Sequence, residues 1–250
     1  MPNSTAYMID LARSGVLARM FDLDNVSHNI ANSNTTGFKS ARVNFQEILT
    51  ETTDGAQWKA GAYTRATQRL MGQGALQHTG QPLDVAIQGE GFFAVTLPDG
   101  RPAYTRDGAF IRDADSNLVT ANGLALDWTG AIPAAAEEVH INPDGTVMVR
   151  QGVTWTQAGQ INTNRFANPS GLTGYGENLW LESDVSGAPE TDAPGNGRHG
   201  FLSSGFLEGS NVNMAEEMTH LIALQRAYQL SIRAFQQTDS MIGLAVQLRR

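Results

Sequence analysis

Apolar residues recur along this chain with two different periods, and the change of period divides it. Near the start Ile9, Val16, Leu23 and Ile30 return every seven residues, with Ala12 and Val26 between them. Near the end Leu221, Tyr228, Phe235 and Ile242 do the same, with Met218, Ile232 and Val246 between them. Heptad spacing lays a seam along one side of a helix, and such a seam wants a partner. The pattern predicts a helix at each end of the chain, the two pairing as a coiled coil. It also predicts a chain that folds back on itself and then polymerises.

The ends of these helices are marked by residue chemistry. The first is expected to start near Ser4 or Thr5, whose hydroxyls accept from orphan backbone N–H groups. It should end in the run Asn29–Gly37, where Asn, Ser and Thr compete for backbone bonds and Gly37 tolerates positive φ. Asn213 is placed to cap the last helix, with Glu216 as a capping-box partner. Glu216 and Glu217 suit the positive end of its dipole, Arg249 and Arg250 the negative end. Roughly 35 residues at 1.5 Å each give a rod of about 50 Å, a length natural to assemblies. Asn29 and Asn32 have two readings, as helix caps and as amides that bond a neighbouring subunit.

Between the helices the period shortens to two. Phe38–Leu49 is a short apolar segment that fits either helix or strand. Glu51 to Gly80 is polar and reads as an extended connection holding a hairpin. From Leu83 the chain alternates, with Pro98-Asp99-Gly100 and Asn142-Pro143-Asp144-Gly145 as turns. Short alternating runs with turns about ten residues apart predict an antiparallel β domain running to about Leu181. Residues 186–197 read as loop. Phe92 and Phe93 are expected to pack in the core on one face. The fold class is therefore α+β, with an N-terminal helix (1–35), a connecting segment (36–80), a β-rich domain (81–200) and a C-terminal helix with its linker (201–250).

Composition narrows the function. The net charge is -8 and no Lys/Arg cluster stands out, so a nucleic-acid partner is not expected. No apolar run approaches twenty residues, so no membrane insertion is expected. Met1-Pro2-Asn3-Ser4-Thr5 has neither a basic nor an apolar leader region, so a cleaved secretory signal is not expected. The chain contains 0 cysteines, which removes disulfides and thiolate chemistry. The histidines His28, His78, His140, His199 and His220 form no metal-binding spacing. Asp107, Asp113, Asp115 and Asp144 stand beside Gly, Asn and Ser, so turn chemistry explains them better than catalysis or calcium. Gly171, Gly174 and Gly176 lack the Lys-Ser/Thr of a phosphate loop, and Ser203 and Ser204 lack a nucleophile elbow. No cofactor, metal or catalytic group is predicted.

Five short motifs carry a resemblance. Ala31-Asn32-Ser33-Asn34-Thr35-Thr36-Gly37-Phe38-Lys39 resembles the N-terminal signature of the bacterial flagellar rod and hook proteins. Ser210-Asn211-Val212-Asn213-Met214-Ala215-Glu216-Glu217-Met218 resembles their C-terminal one. Leu83–Phe93, Tyr104–Phe110 and Gly176–Trp180 resemble the family in the same order. The length argues against a hook protein, and Gly205–Asn213 is most similar to the distal rod members. Glu51–Met71 is shorter than in those members, which keeps a proximal rod paralogue, or a rod adapted to a different envelope, as alternatives.

The resemblance implies a structural, non-enzymatic subunit that polymerises with itself into a helical drive shaft between motor and hook. Its implied partners are other rod proteins, the hook protein, the flagellar type III export apparatus and surrounding ring proteins. Its implied place is the basal body outside the cytoplasmic membrane, in the periplasm or cell-wall zone. The subunit-packing residues would be Ile9, Val16, Leu23, Asn29, Ile30, Asn32, Gly37 and Phe38 at one end. At the other they would be Asn211, Val212, Asn213, Met218, Leu221, Leu224, Tyr228, Ile232, Phe235 and Ile242. A rival from another class is a secreted β-rich glycan-binding or glycan-cleaving protein with a coiled-coil stalk. It would use Trp128, Trp155 and Trp180 as an aromatic face, with two converging carboxylates if it cleaves.

Overall fold

The computed structural model describes residues 3–47 and 62–247, with side chains from 13 to 44, from 67 to 237, and at 240 and 241. The chain divides into two compact units. Unit 1 comprises Met1–Ala31, Ser40–Leu70 and Val212–Arg250, and unit 2 comprises Asn32–Lys39 and Met71–Asn211.

Unit 1 holds both helices. Helix α1 spans Asn3–Ala31 and α2 spans Met214–Gln247. Ser4 and Thr5 therefore lie inside α1 rather than capping it, while its end falls in the expected Asn-rich run. Asn213 does cap α2, its Oδ1 accepting from Ala215 N–H at 3.2 Å. Arg249 and Arg250 lie outside the described residues. The segment that fitted either helix or strand forms β1 (Ala41–Glu47), and Ile48 and Leu49 fall outside the described residues. It pairs antiparallel with β2 (Ala62–Arg69), with a bulge between Asn44 and Phe45. Much of the Glu51–Met71 segment likewise lies outside the described residues.

The helices run antiparallel. Asn29, near the end of α1, bonds Glu217 near the start of α2, while Val16 and Leu17 line one apolar cavity with Ile232 and Phe235.

Unit 2 is built of short strands. Its first half holds β3 (Leu76–His78), β4 (Val85–Gln88), β5 (Phe93–Thr96), β6 (Pro102–Thr105), β7 (Phe110–Arg112), β8 (Leu118–Thr120), β9 (Ala125–Leu126) and β10 (Trp128–Gly130). Its second half holds β11 (Glu138–Ile141), β12 (Thr146–Gln151), β13 (Thr154–Ile161), β14 (Thr163–Arg165), β15 (Thr173–Gly176), β16 (Leu179–Leu181), β17 (Glu190–Asp192), β18 (Phe201–Ser204) and β19 (Phe206–Glu208). A seven-stranded sheet runs β15-β16-β6-β5-β9-β8-β7, and a four-stranded sheet runs β10-β13-β12-β11. Both expected turns are present. Asp99 Oδ1 accepts from Arg101 N–H at 3.0 Å, and Asp144 Oδ1 from Thr146 N–H at 3.0 Å.

Three expectations change here. First, Phe92 and Phe93 are both buried but do not share a face. Phe93 and Val95 join the large core of Val85, Ile87, Leu118, Ile141 and Ile161. Phe92 and Ala94 join a second core with Tyr104, Phe166 and Trp180. Adjacent strand residues point to opposite faces, so this strand is buried on both sides. Second, the loop over 186–197 contains β17, which pairs with β14. Third, β structure does not stop near Leu181. The late strand β18 pairs with β4 and β19 with β3, both antiparallel, so residues 201–208 close unit 2 against its own beginning.

Candidate functional site

The helix pair of unit 1 has a thin buried line and a broad apolar exterior. Val26 and Leu224 are buried, at 1% and 3% exposed. Val16, Leu23, Ile30, Leu221, Tyr228 and Ile232 are half-buried. Met218 and Phe235 face outward, at 44% and 38% exposed. The side chains of Ile9 and Ile242 lie outside the described ones. Leu17, Met20 and Phe21 on α1 are also exposed, as are Ile222, Leu230 and Met241 on α2. The heptad reading did not include these six. A strict a/d stripe is narrower than the apolar surface each helix carries.

Polar groups fix the two helices in register. Asn29 is fully buried and does not cap α1. Its Oδ1 accepts from Ala41 N–H at 3.0 Å, and its Nδ2 donates to Ala41 C=O at 2.8 Å and to Glu217 Oε1 at 3.0 Å. Asn25 Nδ2 reaches the same Ala41 carbonyl at 2.7 Å. One turn away Asp22, also buried, lies 4.0 Å from His220 Nε2. Burial pushes the Asp22 carboxyl above its ordinary range, and His220 and Arg19 pull it back.

In unit 2 the five motifs converge. Lys39 ends the first, Arg106 sits in the third, and Glu208 leads into the last. Lys39 Nζ donates to Glu208 Oε1 at 2.5 Å, and Arg106 Nη1 donates to Glu208 Oε2 at 3.1 Å. Gly74 N–H also donates to Glu208 Oε1, at 2.9 Å. The other donors take backbone carbonyls: Lys39 Nζ reaches Gly72 at 2.8 Å and Arg106 Nη2 reaches Gly89 at 2.9 Å. From the motif around Trp180, Asn178 Nδ2 donates to Thr36 C=O at 3.0 Å. The two signatures are also joined by backbone. Gly37 N–H donates to Glu208 C=O at 2.8 Å, and Asn211 N–H to Phe38 C=O at 3.3 Å.

All three charged side chains are buried, so their pairing decides whether unit 2 holds together. Burial pushes both the Lys39 ammonium and the Arg106 guanidinium down from their ordinary values, and Glu208 pulls both back up. Gly37 has φ +66° and its Cα faces backbone: a Cβ there would lie 2.5 Å from Asp107 N. It is not the cap of α1, which ends six residues earlier, but the point where the first signature presses on the third motif. Among the packing candidates, Asn211 also gives its Nδ2 to Gly72 C=O at 3.1 Å, and Asn32 Oδ1 accepts from Thr35 Oγ1 at 3.2 Å. Phe38 is buried and Val212 half-buried.

Lys39, Arg106 and Glu208 were not chosen as site residues from sequence. The available signal was that a lysine, an arginine and a glutamate stand in or beside three separate motifs.

The model of the flagellar hook protein FlgE/F/G D1 domain matches residues 86–149, and that of the flagellar basal body rod FlgEFG protein C-terminal region matches residues 203–248. Arg106 lies in the first match and Glu208 in the second. Flagellar basal-body rod protein FlgG of Borreliella burgdorferi is 38% identical, over 96% of this chain and 97% of its own. That of Agrobacterium fabrum is 37% identical, over 94% and 96%. That of Buchnera aphidicola subsp. Acyrthosiphon pisum is 37% identical, over 95% and 98%.

The chain belongs to the flagellar basal-body rod protein family. Within that family it sides with the distal rod members, as Gly205–Asn213 suggested. For a rod protein the D1 match has a structural meaning. It runs from β4 into β12 and contains most of the larger core of unit 2. The C-terminal match begins within β18, contains β19 and covers all of α2.

Proposed function

We propose that this structural rod subunit polymerises with itself into a helical shaft that carries torque from the motor to the hook. The observation that supports this reading is the outward apolar surface of α1 and α2. Large apolar side chains are exposed along both helices, including Phe21, Met218, Ile222, Leu230 and Phe235. Contiguous exposed apolar surface on a folded protein marks an interaction face. Burying each such side chain contributes roughly 1.5–3 kcal/mol, so a few suffice to offset the cost of ordering a subunit. One face of each copy meets a different face of the next, and the rotation between them does not close.

The finer features follow the same reading. The terminal helices form coiled-coil contacts in the inner wall, and the β-rich region faces outward. Other rod proteins and the hook protein adjoin the ends of the polymer, and ring proteins surround it in the basal body outside the cytoplasmic membrane. The chain passes through the type III export apparatus unfolded, without a cleaved signal. Its role is mechanical rather than catalytic. Asp107, Asp113 and Asp144 use carboxylate oxygens on nearby backbone N–H groups. The glycan-binding rival loses its aromatic face, because Trp180 is buried in a core while Trp155 is exposed.

The test is incorporation. A tagged copy expressed in a strain lacking the gene should appear in purified basal bodies and restore swimming. Versions lacking residues 1–35 or 211–250 should do neither. Restored swimming by either truncated chain would overturn the reading.

A further inference from the structure

A cavity of about 230 Å³ opens on unit 2 beside the Lys39–Glu208–Arg106 cluster. Its floor is apolar, formed by Met71, Phe92 and Phe166, the two rings meeting edge to face at 6.0 Å. Its walls carry three guanidinium groups, those of Arg106, Arg165 and Arg198. Arg106 is pinned by Glu208 and by Gly89 C=O, and its guanidinium carbon lies 5.1 Å over the Phe92 ring. Arg165 Nη2 is held by Glu190 at 2.5 Å, with Glu90 3.7 Å from Nη1. Arg198 is exposed and takes part in none of the ion pairs among the described residues.

The charge count around this cavity leaves an excess cation. Glu208 serves both Lys39 and Arg106, so one carboxylate faces two cations. Arg165 faces two carboxylates, Glu190 and Glu90, and Arg198 adds a cation outside these pairs. The surroundings are thus positive by one charge on a chain whose net charge is -8. A basic, apolar-floored cavity on an acidic protein is complementary to the rest of that protein's own surface. Guanidinium groups in a fixed arrangement suit the planar fork of a carboxylate.

We propose that this cavity receives an Asp or Glu side chain from a neighbouring copy of the chain, its carboxylate accepting from Arg198 and Arg165 and its methylene groups resting on Phe92 and Phe166. This rests on the reading of the chain as a polymerising rod subunit. It adds a contact through unit 2 to those made by the helices. A free inorganic anion would meet the same donors.

The experiment compares Arg198→Glu, Arg198→Ala and Arg198→Lys with wild type, as protein in purified basal bodies relative to protein secreted. Arg198→Glu should fall at least tenfold, Arg198→Ala several-fold, and Arg198→Lys least. Thermal unfolding of all three monomers should match wild type, since Arg198 is exposed and makes no ion pair among the described residues. Full incorporation of Arg198→Glu would overturn the proposal. In parallel, arginine side-chain NMR signals of the wild-type monomer are followed during titration with inorganic phosphate. Phosphate-dependent shifts together with normal incorporation of Arg198→Glu would assign a free-ion site and overturn docking. Absence of the wild-type chain itself from basal bodies would remove the rod reading as well, and so separates the two failures.

Discussion

Lys39 and Glu208 lie 169 positions apart in the chain and 2.5 Å apart in unit 2, both fully buried. Glu208 pairs with both Lys39 and Arg106. Replacing it by Gln removes the carboxylate that these two buried cations share. Breaking a buried pair in this way costs about 3–5 kcal/mol. Glu208→Gln should lower the denaturant midpoint of unit 2, followed by fluorescence of the buried Trp180. Lys39→Met should cost less, because Glu208 keeps Arg106. The two changes together should depart from additivity, since they share one network. An unchanged midpoint in Glu208→Gln would remove the cluster from any account of stability.

Gly37 is constrained twice. Its φ of +66° strains any residue with a Cβ, and that Cβ would sit 2.5 Å from Asp107 N, which is backbone and cannot rotate away. Positive φ alone costs on the order of 1–3 kcal/mol, and the clash adds to it. Asn tolerates the left-handed region, so conformation alone would make Gly37→Asn mild. The close approach removes that tolerance. Gly37→Asn and Gly37→Ala should destabilise unit 2 by similar amounts, with Gly37→Val worst. All three should be secreted and poorly incorporated into basal bodies. A Gly37→Asn protein as stable as wild type, by thermal unfolding, would show that the backbone of Asp107 yields.

Much of the helical part was legible because it is local. Heptads at Val16, Leu23 and Leu221, Tyr228 mark helices without reference to anything distant, and Asn213 caps where its chemistry says it should. The hairpin turns at Asp99 and Asp144 are equally local. The closure of unit 2 was not legible. Phe201–Glu208 has no turn signal that assigns it to β3 and β4, more than a hundred residues earlier, and only that pairing brings Glu208 to Lys39. Phe92 and Phe93 were misread for a related reason. Whether a strand is covered on one face or two depends on Phe166, Leu172 and Trp180, which arrive from much later in the chain. The family motifs recorded these contacts as separate strings of residues, with no indication that the strings meet.

Asp22 makes the helix pair sensitive to pH. Its carboxyl is raised from 3.8 chiefly by burial, with His220 and Arg19 opposing. The folded state then binds a proton more readily than the unfolded chain. Stability therefore falls as pH rises from 3.8 through the raised folded value, and the full penalty applies above it. Asp22→Asn removes the ionisation. Unit 1 should be more stable than wild type at pH 7, and the difference should shrink as the pH is lowered towards 3.8. Helical circular dichroism during thermal unfolding at several pH values reads this directly. A difference that grows on acidification would mean that His220, not burial, governs Asp22.

Phe235 separates folding from assembly. It is 38% exposed and borders a shallow apolar cavity of about 240 Å³ with Val16, Leu17 and Ile232. In the monomer, Phe235→Asp places its charge at a surface that water reaches, so the cost should stay on the order of 1 kcal/mol. In a polymer that covers this cavity, the same carboxylate would be buried without a partner, at several kcal/mol per subunit. Leu224, at 3% exposed, offers the contrast. Leu224→Asp buries a charge in the monomer itself and should unfold the helix pair before any assembly. The expected pattern is a Phe235→Asp protein with wild-type helical content, secreted normally, and present in basal bodies at less than a tenth of the wild-type amount. Cells carrying it should not swim. Because the cost repeats at every subunit, a partial defect should shorten rods rather than leave a mixture of full-length and absent ones. Normal swimming with Phe235→Asp would mean that neighbouring copies leave this face of α2 uncovered.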